Sequence, residues 1–266
     1  MLKIIFCLGR PIIYIELQFM QLNEFYSDQA LHFYHTRKRH RPEMDSFSDI
    51  VKKLPKNCKW IDLGCGAGRV VLWLENLWRK DIQYTGIDNA KWFIFLARDL
   101  YPAKKFENKD MLEYILKQKQ QNIWCISAIA SIQHLDEISK RQAFFDLSYR
   151  TLQYNGYLLV TNRSFSKRFL LKYWRQILFS LRKSSISFWK HQRNDLSIDW
   201  KDPQWKENNK IFQRYYHIFI LKELKEHALK AWFSIEKICY MGQDWKETSS
   251  RFYSRNSIMI CKKSIL

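Results

Sequence analysis

The chain has 266 residues, 47% of them hydrophobic, which is enough for one sizeable core with an elaboration. Lysine and arginine total 45 against 26 acidic residues, and the formal charge of +19 favours a polyanionic partner, nucleic acid ahead of a membrane surface. The six cysteines form no C-x-x-C pair and no zinc-like cluster, which argues against a metal site and favours a reduced, cytoplasmic protein.

The first nineteen residues, MLKIIFCLGRPIIYIELQF, contain an interrupted apolar run. Gly9-Arg10-Pro11 and then Glu16 break it, so no stretch is long enough to span a bilayer, and no clear signal-peptide cleavage site follows. Met20 opens a more ordinary stretch and is an alternative start. We expect residues 1–19 to be a peripheral extension of a domain formed by 20–266.

Strands and helices alternate from residue 58 onward, which is typical of a parallel, doubly wound α/β sheet. The predicted order is strand 58–63, helix 70–80, strand 82–87, helix 91–100, strand 104–107, helix 111–120, strand 122–127, helix 137–152, a turn at 154–156 and strand 157–162. Helix 221–231 and strands 233–240 and 257–262 follow. Together they predict a seven-stranded, Rossmann-like sheet.

Residues 164–210 interrupt this alternation and predict a basic, aromatic helical insertion. Lys167, Arg168, Lys172 and Arg175 recur three or four residues apart among aromatic and aliphatic side chains, so a helix here has a basic face opposite an apolar one. Three interpretations are open: a clamp that binds RNA phosphates, an amphipathic cover over the active site or on anionic lipid, and a lid whose apolar face completes the core.

The stretch WIDLGCGAGR, residues 60–69, carries three glycines between a strand and a helix. Glycines at such a turn let backbone N–H groups approach a nucleotide-like ligand, because a side chain would block the approach. Gly64, Gly66 and Gly68 form G-x-G-x-G, whereas a dinucleotide fingerprint is G-x-G-x-x-G. No P-loop lysine with Ser or Thr follows, so ATP is not indicated.

Acids end the next two predicted strands. Asp88 lies twenty residues after Gly68, at a position where a carboxylate can accept hydrogen bonds from both ribose hydroxyls. Asp110 follows the third strand and can similarly meet the exocyclic amine of a base, with Met111 packing beside it. The ligand predicted by these positions contains a ribose and a base.

In order and spacing these stretches resemble the class I S-adenosylmethionine-dependent methyltransferases. The matching segments are IDLGCGAGR (61–69), GIDNA (86–90), NKDML (108–112), NIWCISAIASIQHL (122–135) and LQYNGYLLV (152–160). The resemblance implies S-adenosyl-L-methionine as cofactor, with Ser127 and Ala128 facing its sulfonium. The cofactor contacts that it implies are Asp62, Gly64, Cys65, Gly66, Gly68, Asp88, Asn89, Asp110, Met111, Ser127 and Ala128.

Two flanking stretches are similar to the tRNA wobble-uridine carboxymethyl methyltransferases. Residues 22–42 place Ala30, Phe33, Thr36, Arg37 and Pro42 at the spacing of that group, and RYYHIFILKELKEHA spans 214–228. The resemblance implies esterification of the carboxylate of 5-carboxymethyluridine in tRNA, and a small activating subunit as a partner. Such a nucleophile is already ionised at neutral pH, so no general base is required.

The candidate substrate contacts are Arg37, His134, Arg214, Tyr215 and His217. An arginine can pair with a carboxylate or phosphate in fork geometry, and Tyr215 or Tyr216 can stack on a splayed base. Alternatively, RYYH is a strand or loop that packs against the sheet, and His134 is a capping or solvated residue.

Two other functions stay open at this stage. One is a small-molecule methyltransferase of the same fold with the 164–210 insertion as an active-site lid. The other is a cofactor-binding module without catalysis.

Overall fold

The computed structural model describes residues 6–7, 10–11, 40–119, 122–186, 194–201 and 211–264. The strands are β1 Lys59–Leu63, β2 Gln83–Asp88, β3 Lys105–Asn108, β4 Ile123–Ile129, β5 Leu152–Arg163, β6 Asp195–Lys201, β7 Ile211–His217, β8 Ser234–Gly242, β9 Glu247–Thr248 and β10 Ser254–Lys262. The helices are α1 Ser48–Lys53, α2 Arg69–Asn76, α3 Lys91–Leu100, α4 Met111–Leu116, α5 Ile138–Thr151, α6 Lys167–Ile186 and α7 Leu221–Lys230. Pro42–Phe47 and Ile132–His134 are short 3-10 helices.

Eight strands form the main sheet, in the order β9-β8-β10-β5-β4-β1-β2-β3. The five strands from β5 to β3 pair in parallel, whereas β10, β8 and β9 add antiparallel pairs at the other end. The predicted α/β sheet is confirmed, but it is mixed and has eight strands instead of seven. The additional strand is β9, a two-residue edge strand that has no hydrophobic run to mark it in the sequence.

Helices cover both faces of the sheet, as expected where strand side chains alternate between two buried faces. In β1, Ile61 and Leu63 pack with α4, α5 and α7, while Trp60 packs with α1, α2 and α3. In β5, Leu158 packs in the same layer as Ile61, and Leu159 packs in the same layer as Trp60. The hydrophobic core therefore has two layers, one on each face of the sheet.

Chain order reverses between β1 and β4, which are neighbours although β2 and β3 lie between them in sequence. Ligands of open α/β sheets bind at such a switch point, outside the carboxyl ends of the strands. The loops that follow β1, β2, β3, β4 and β5 all reach this edge.

The described part of the insertion consists of helix α6 and strand β6, and β6 pairs with β7, the strand that follows the insertion. Helix α6 packs on the antiparallel pair β6–β7, in which Asp195 is opposite His217 and Ile198 is opposite Arg214. Phe165, Phe169 and Leu196 are members of a small third core between them. Within the predicted helical insertion 164–210, the described residues thus contain helix α6 and, after it, strand β6, which pairs with β7 beyond the insertion.

Several predicted boundaries were wrong for identifiable reasons. Helix α2 ends at Asn76 because Trp78 has a left-handed φ of 58°, and α4 ends at Leu116. The turn at 154–156 lies inside β5, where Asn155 has φ 61° and its N–H donates to the Lys263 carbonyl. A register shift against β4 absorbs these residues without ending the strand.

Most of the predicted extension 1–19 lies outside the described residues; within it, Phe6–Cys7 pairs with Arg10–Pro11. Arg37 also lies outside them. Within the described ranges, no helix combines the length and apolarity needed to cross a bilayer.

Candidate active site

A cavity of about 400 Å³ opens at the carboxyl ends of the parallel strands. One half is formed by the glycine turn and by residues that follow β2 and β3. The other half is formed by residues that follow β4 and β5, together with α6 and β7 of the insertion. The switch point of the sheet therefore joins the predicted cofactor residues and the insertion in one cavity.

All three glycines of the turn have left-handed backbone conformations, with φ of 77°, 54° and 81° at Gly64, Gly66 and Gly68. A Cβ at Gly64 would lie 2.3 Å from the Ser131 Cβ, and one at Gly68 would lie 2.8 Å from the Tyr101 ring. A Cβ at Gly66 would meet no atom within 4 Å, because that position faces the cavity. The absence of a side chain at Gly64 and Gly68 thus allows Ser131 and Tyr101 to pack closely against the turn, whereas at Gly66 it leaves room for a ligand.

Asp88 holds the turn and faces the cavity at the same time. Its two carboxylate oxygens accept the backbone N–H groups of Gly66 and Ala90, each at 2.9 Å. Burial raises the pKa of Asp88, while these two backbone hydrogen bonds lower it and leave a net increase. Each oxygen keeps further acceptor capacity, so the carboxylate can also receive hydroxyl groups of a ligand. Asn89 lies beside it in the lining and is exposed.

Asp110 and Met111 line the cavity beyond Asp88, as predicted. One Asp110 oxygen caps α4 by accepting the N–H groups of Leu112 at 2.8 Å and Glu113 at 3.1 Å. The cap fixes the position of the carboxylate at the start of the helix. An adenine-sized ring at this wall would meet an acid and an apolar thioether side chain.

Asp62 ends β1 beneath the glycine turn and is buried. It accepts hydrogen bonds from Ser127 Oγ at 2.6 Å and from the Tyr84 hydroxyl at 2.7 Å. Trp60 Nε1 in turn donates to Ser127 Oγ at 2.8 Å. Burial raises the pKa of Asp62 to about 6, and the two hydrogen bonds only partly offset it. The network ties β1 to β4 and β2 directly below the cavity.

Ser127 and Ala128, which the resemblance places opposite the sulfonium, are both buried inside β4 and are not part of the cavity lining. Strand β4 continues to Ile129, and the residues at its exit are Ala130 and Ser131. Ala130 has φ 56°, and Ser131 donates from Oγ to the Leu63 carbonyl at 2.7 Å. These exit residues occupy the wall next to the glycine turn.

Cys65 lines the cavity from within the turn. It is buried, and burial together with the charge of Asp88 raises the pKa of its thiol well above the ordinary value. The side chain is therefore a neutral packing group and not a thiolate nucleophile.

A family model described as a methyltransferase domain matches residues 54–230, which is more than half of the chain. The chain belongs to this methyltransferase family. It is an enzyme of the S-adenosylmethionine-dependent class, and S-adenosylmethionine is its cofactor. A search of curated proteins finds no match.

Solved structures of the same fold share little sequence with the methyltransferase. An S-adenosylmethionine-dependent methyltransferase from Methanosarcina mazei is 18% identical with a TM-score of 0.61, covering 82% of this chain and 98% of its own. The CcbJ methyltransferase of Streptomyces caelestis is 14% identical with a TM-score of 0.61, covering 90% and 98%. A methyltransferase of Haloferax volcanii in complex with the Trm112 activator is 12% identical with a TM-score of 0.57, covering 92% and 98%.

On the insertion side, alternation along β7 separates the RYYH residues. Arg214 and Tyr216 line the cavity of the methyltransferase, and the Arg214 guanidinium lies 5.0 Å from the centroid of the Tyr216 ring. His134 lies beside them, with its ring centroid 4.8 Å from that of Tyr216. Arg214 and His134, two of the candidate substrate contacts, thus both line the cavity next to the ring of Tyr216.

Tyr215 and His217 point to the opposite side of β7 and are not part of the cavity lining. Their side chains both meet Asp195 Oδ1, at 2.7 Å from the Tyr215 hydroxyl and 2.6 Å from His217 Nδ1. His217 Nε2 also lies 2.7 Å from Glu223 of α7. Burial lowers the pKa of His217, but the bonds to Asp195 and Glu223 outweigh it and raise the pKa overall. This buried polar network attaches the insertion to the domain, and it corrects the prediction of substrate contacts.

Several cavity residues were missed by the sequence interpretation. Arg41, Arg69 and Arg163 all line the cavity. Two of them had a recognisable signal, because Arg69 follows the glycine turn directly and Arg163 ends a parallel strand at the carboxyl edge, where sites form.

Proposed function

We propose that this methyltransferase acts on tRNA and forms a methyl ester on the carboxylate of a modified wobble uridine. The single observation that carries the proposal is the pairing of Arg214 with Tyr216 on the cavity wall that faces the glycine turn. A guanidinium suits an anionic group, and an aromatic ring suits a base taken out of its stack. Their motif, RYYH, is the one that resembles the wobble-uridine enzymes.

We assign cofactor binding to the opposite wall of the cavity. Gly66 provides space for the methionine part, Asp88 receives the ribose hydroxyls, and Asp110 with Met111 frames adenine. The open position at Gly66 and the remaining acceptor capacity of Asp88 support this assignment. Bound there, S-adenosylmethionine supplies an electrophilic methyl group.

The surface outside the cavity also suits RNA. Leu171 and Trp174 of α6 are 68% and 52% exposed, and they follow Lys167 and Arg168 on the same helix. Exposed aromatic side chains interleaved with cations bind single-stranded or looped RNA through stacking and phosphate contacts. The formal charge of +19 gives the same preference for a polyanion.

The chemistry needs no proton acceptor at the reacting atom, because a carboxylate is ionised at neutral pH. This agrees with the state of His134, the imidazole nearest to Tyr216. Its Nδ1–H donates a hydrogen bond to the Tyr215 carbonyl oxygen at 2.9 Å. Burial, together with the charge of Arg214, lowers the pKa of His134 to about 3. His134 is therefore a neutral wall of the site, and alignment of the acceptor is the main task of the protein.

The test is transfer of labelled methyl groups to tRNA that carries 5-carboxymethyluridine at the wobble position, with fully esterified tRNA as control. The chain should be assayed alone and with a Trm112-type activating subunit, which is a partner we propose from the family resemblance. Label should enter only the carboxymethyl tRNA and should be released by mild base, as expected for an ester. Base-stable label, or none with either chain preparation, would contradict the proposal.

A second candidate is a small-molecule methyltransferase with the insertion as a lid. It is favoured by Phe169, Tyr173 and Ile198, which bring apolar side chains of the insertion into the cavity lining. Transfer of label to a pool of small carboxylic acids or amines, with none to tRNA, would favour this candidate.

A further inference from the structure

The cavity is rich in cations. Its lining includes Arg41, Arg69, Arg163, Lys172 and Arg214. Arg41 is paired with the buried Glu43 at 3.0 Å. Among the described residues, no carboxylate lies within ion-pair distance of Arg69 or Arg163. Within the described part of the chain, Arg69 and Arg163 therefore bring positive charge to the cavity without a carboxylate partner.

Burial and the neighbouring positive charges make the charged form of Arg69 and Arg163 less favourable. Burial, with a smaller contribution from the charge of Arg41 and an opposing one from Glu43, lowers the pKa of Arg69 to about 10. Burial also lowers the pKa of Arg163, and Arg41 and Arg255 add to that effect. Like charges held together out of water are unfavourable until an anion joins them. A bound anion would remove this cost.

The position of Arg163 separates it from the proposed cofactor wall. It is the last residue of β5, and β5 and β4 lie on one side of β1, whereas Asp88 and Asp110 follow strands β2 and β3 on the other side. Its backbone N–H donates to Gln133 Oε1 at 2.8 Å, and its guanidinium lies 5.7 Å from the centroid of the Phe169 ring. The arginine is thus held at the junction between the sheet and the insertion.

We propose that Arg163 and Arg214 form a subsite that holds an anionic group of the acceptor, a carboxylate or a phosphate. The proposal rests on the proposed function, since it takes this half of the cavity to be the acceptor half. The Arg214 guanidinium lies against the Tyr216 ring and that of Arg163 against the Phe169 ring, and all four residues line the same cavity. Two guanidiniums can bind an anion through several parallel N–H donors, which fixes its orientation as well as its place.

For a carboxylate acceptor, one oxygen bonds to the methyl carbon as the carbon–sulfur bond breaks. S-adenosylhomocysteine leaves with the electron pair of that bond, and no proton is released. The arginines release a neutral ester more easily than the anion they bound, so the same contacts favour turnover. For a phosphate, the subsite positions the nucleotide whose base or sugar reacts.

The experiment is calorimetric titration of the full chain, saturated with S-adenosylhomocysteine, with 5-carboxymethyluridine, uridine 5′-monophosphate and uridine. The variants are Arg163→Gln, Arg163→Lys and Arg214→Gln, with Arg175→Gln as the control because Arg175 belongs to α6 but not to the cavity lining. We expect an anionic probe to bind and uridine to bind at least about tenfold more weakly. Each Gln variant should lose about tenfold in anion affinity, Arg163→Lys should lose less, and Arg175→Gln should match the parent chain.

The probe that binds identifies the source of the anion. Equal affinity for all three probes, no binding of either anion by the parent chain, or unchanged anion affinity in both Gln variants would overturn the proposal. Loss of S-adenosylhomocysteine affinity in Arg163→Gln would also overturn it, because the guanidinium would then hold the carboxylate of the cofactor. Thermal unfolding of each variant separates lost binding from lost structure, and Arg163→Lys keeps the test decisive if Arg163→Gln does not fold.

Failure of the proposed function gives a different result. If no label enters tRNA while an anionic probe still binds through Arg163, RNA is excluded and the anion subsite remains.

Discussion

His134 and Tyr215 are joined by a hydrogen bond of 2.9 Å from the imidazole Nδ1 to the backbone carbonyl oxygen. Since a carbonyl oxygen only accepts, Nδ1 must carry the hydrogen, and this fixes the tautomer of His134. The bond connects the 3-10 helix after β4 with strand β7 of the insertion. One neutral histidine thus ties the exit of β4 to β7 within one half of the cavity.

Replacing His134 by Asn should reveal the cost of keeping this histidine neutral. A folded-state pKa of about 3, below the ordinary value of 6.5, gives stability that is present above pH 6.5 and is lost as the pH falls towards 3. Between pH 7 and pH 4.5 the free energy of unfolding of the parent chain should fall by about 2–3 kcal/mol more than that of His134→Asn. Urea denaturation at both pH values measures the difference, and parallel losses in the two proteins would contradict the prediction.

Asp62→Asn should show the opposite pH dependence. Because the pKa of Asp62 is raised to about 6, its contribution to stability is fully present below pH 4 and is lost as the pH rises through 6. The advantage of the parent chain over the variant should therefore shrink by about 2 kcal/mol between pH 4 and pH 7. Asp49→Asn is the control, since Asp49 is exposed and should show no such change. A constant difference would mean that Asp62 titrates as an ordinary carboxylate.

Gly66→Ala and Gly64→Ala separate space for the cofactor from space for the fold. At Gly66 a methyl group meets no protein atom, so the left-handed φ costs only about 1–2 kcal/mol and the chain should fold. At Gly64 the methyl group would overlap Ser131, and the loss of stability should exceed that of Gly66→Ala by about 2 kcal/mol or more. Thermal unfolding and S-adenosylhomocysteine titration give both quantities. We expect Gly66→Ala to lose binding while folded, and retained binding would show that the cofactor does not approach this position.

Asp88→Asn should weaken S-adenosylhomocysteine binding by about tenfold or more. An amide offers one acceptor oxygen where the carboxylate offers two, so it cannot accept the N–H groups of both Gly66 and Ala90 in their present positions. Calorimetric titration against the parent chain measures the effect. Asp99→Asn, an exposed position on α3, should bind normally. Equal affinity in Asp88→Asn would remove Asp88 from the proposed cofactor contacts.

The sequence was most informative where local signals and the fold agree. Helix α3 spans Lys91–Leu100 as predicted, because apolar spacing and Pro102 mark both its periodicity and its end. The glycines and the acids at 62, 88 and 110 were placed correctly, since the carboxyl ends of parallel strands must meet at one edge. These residues line one half of the cavity, the half to which we assign the cofactor.

The residues that line the other half of the cavity, where we place the acceptor, could not be derived from the sequence in the same way. The alternation of RYYH was readable, but its phase depends on pairing with β6, a strand that the sequence did not reveal. Tyr215 was therefore chosen where Tyr216 faces the cavity. The end of β4 was misjudged by two residues for a similar reason, because the apolar run ISAIA does not mark where pairing with β5 stops. Arg163 reaches the cavity only through the tertiary fold.

The two-residue repeat of β7 also limits how this enzyme can change. Arg214 and Tyr216 face the cavity while Tyr215 and His217 anchor the insertion, so the proposed recognition residues and the anchoring residues occupy alternate positions of one short segment. A deletion or insertion of one residue would exchange the two sets, placing the anchoring side chains in the cavity and the recognition side chains against α7. Evolution can therefore alter acceptor preference here by substitution, but changes in length are confined to the loops beyond the hairpin.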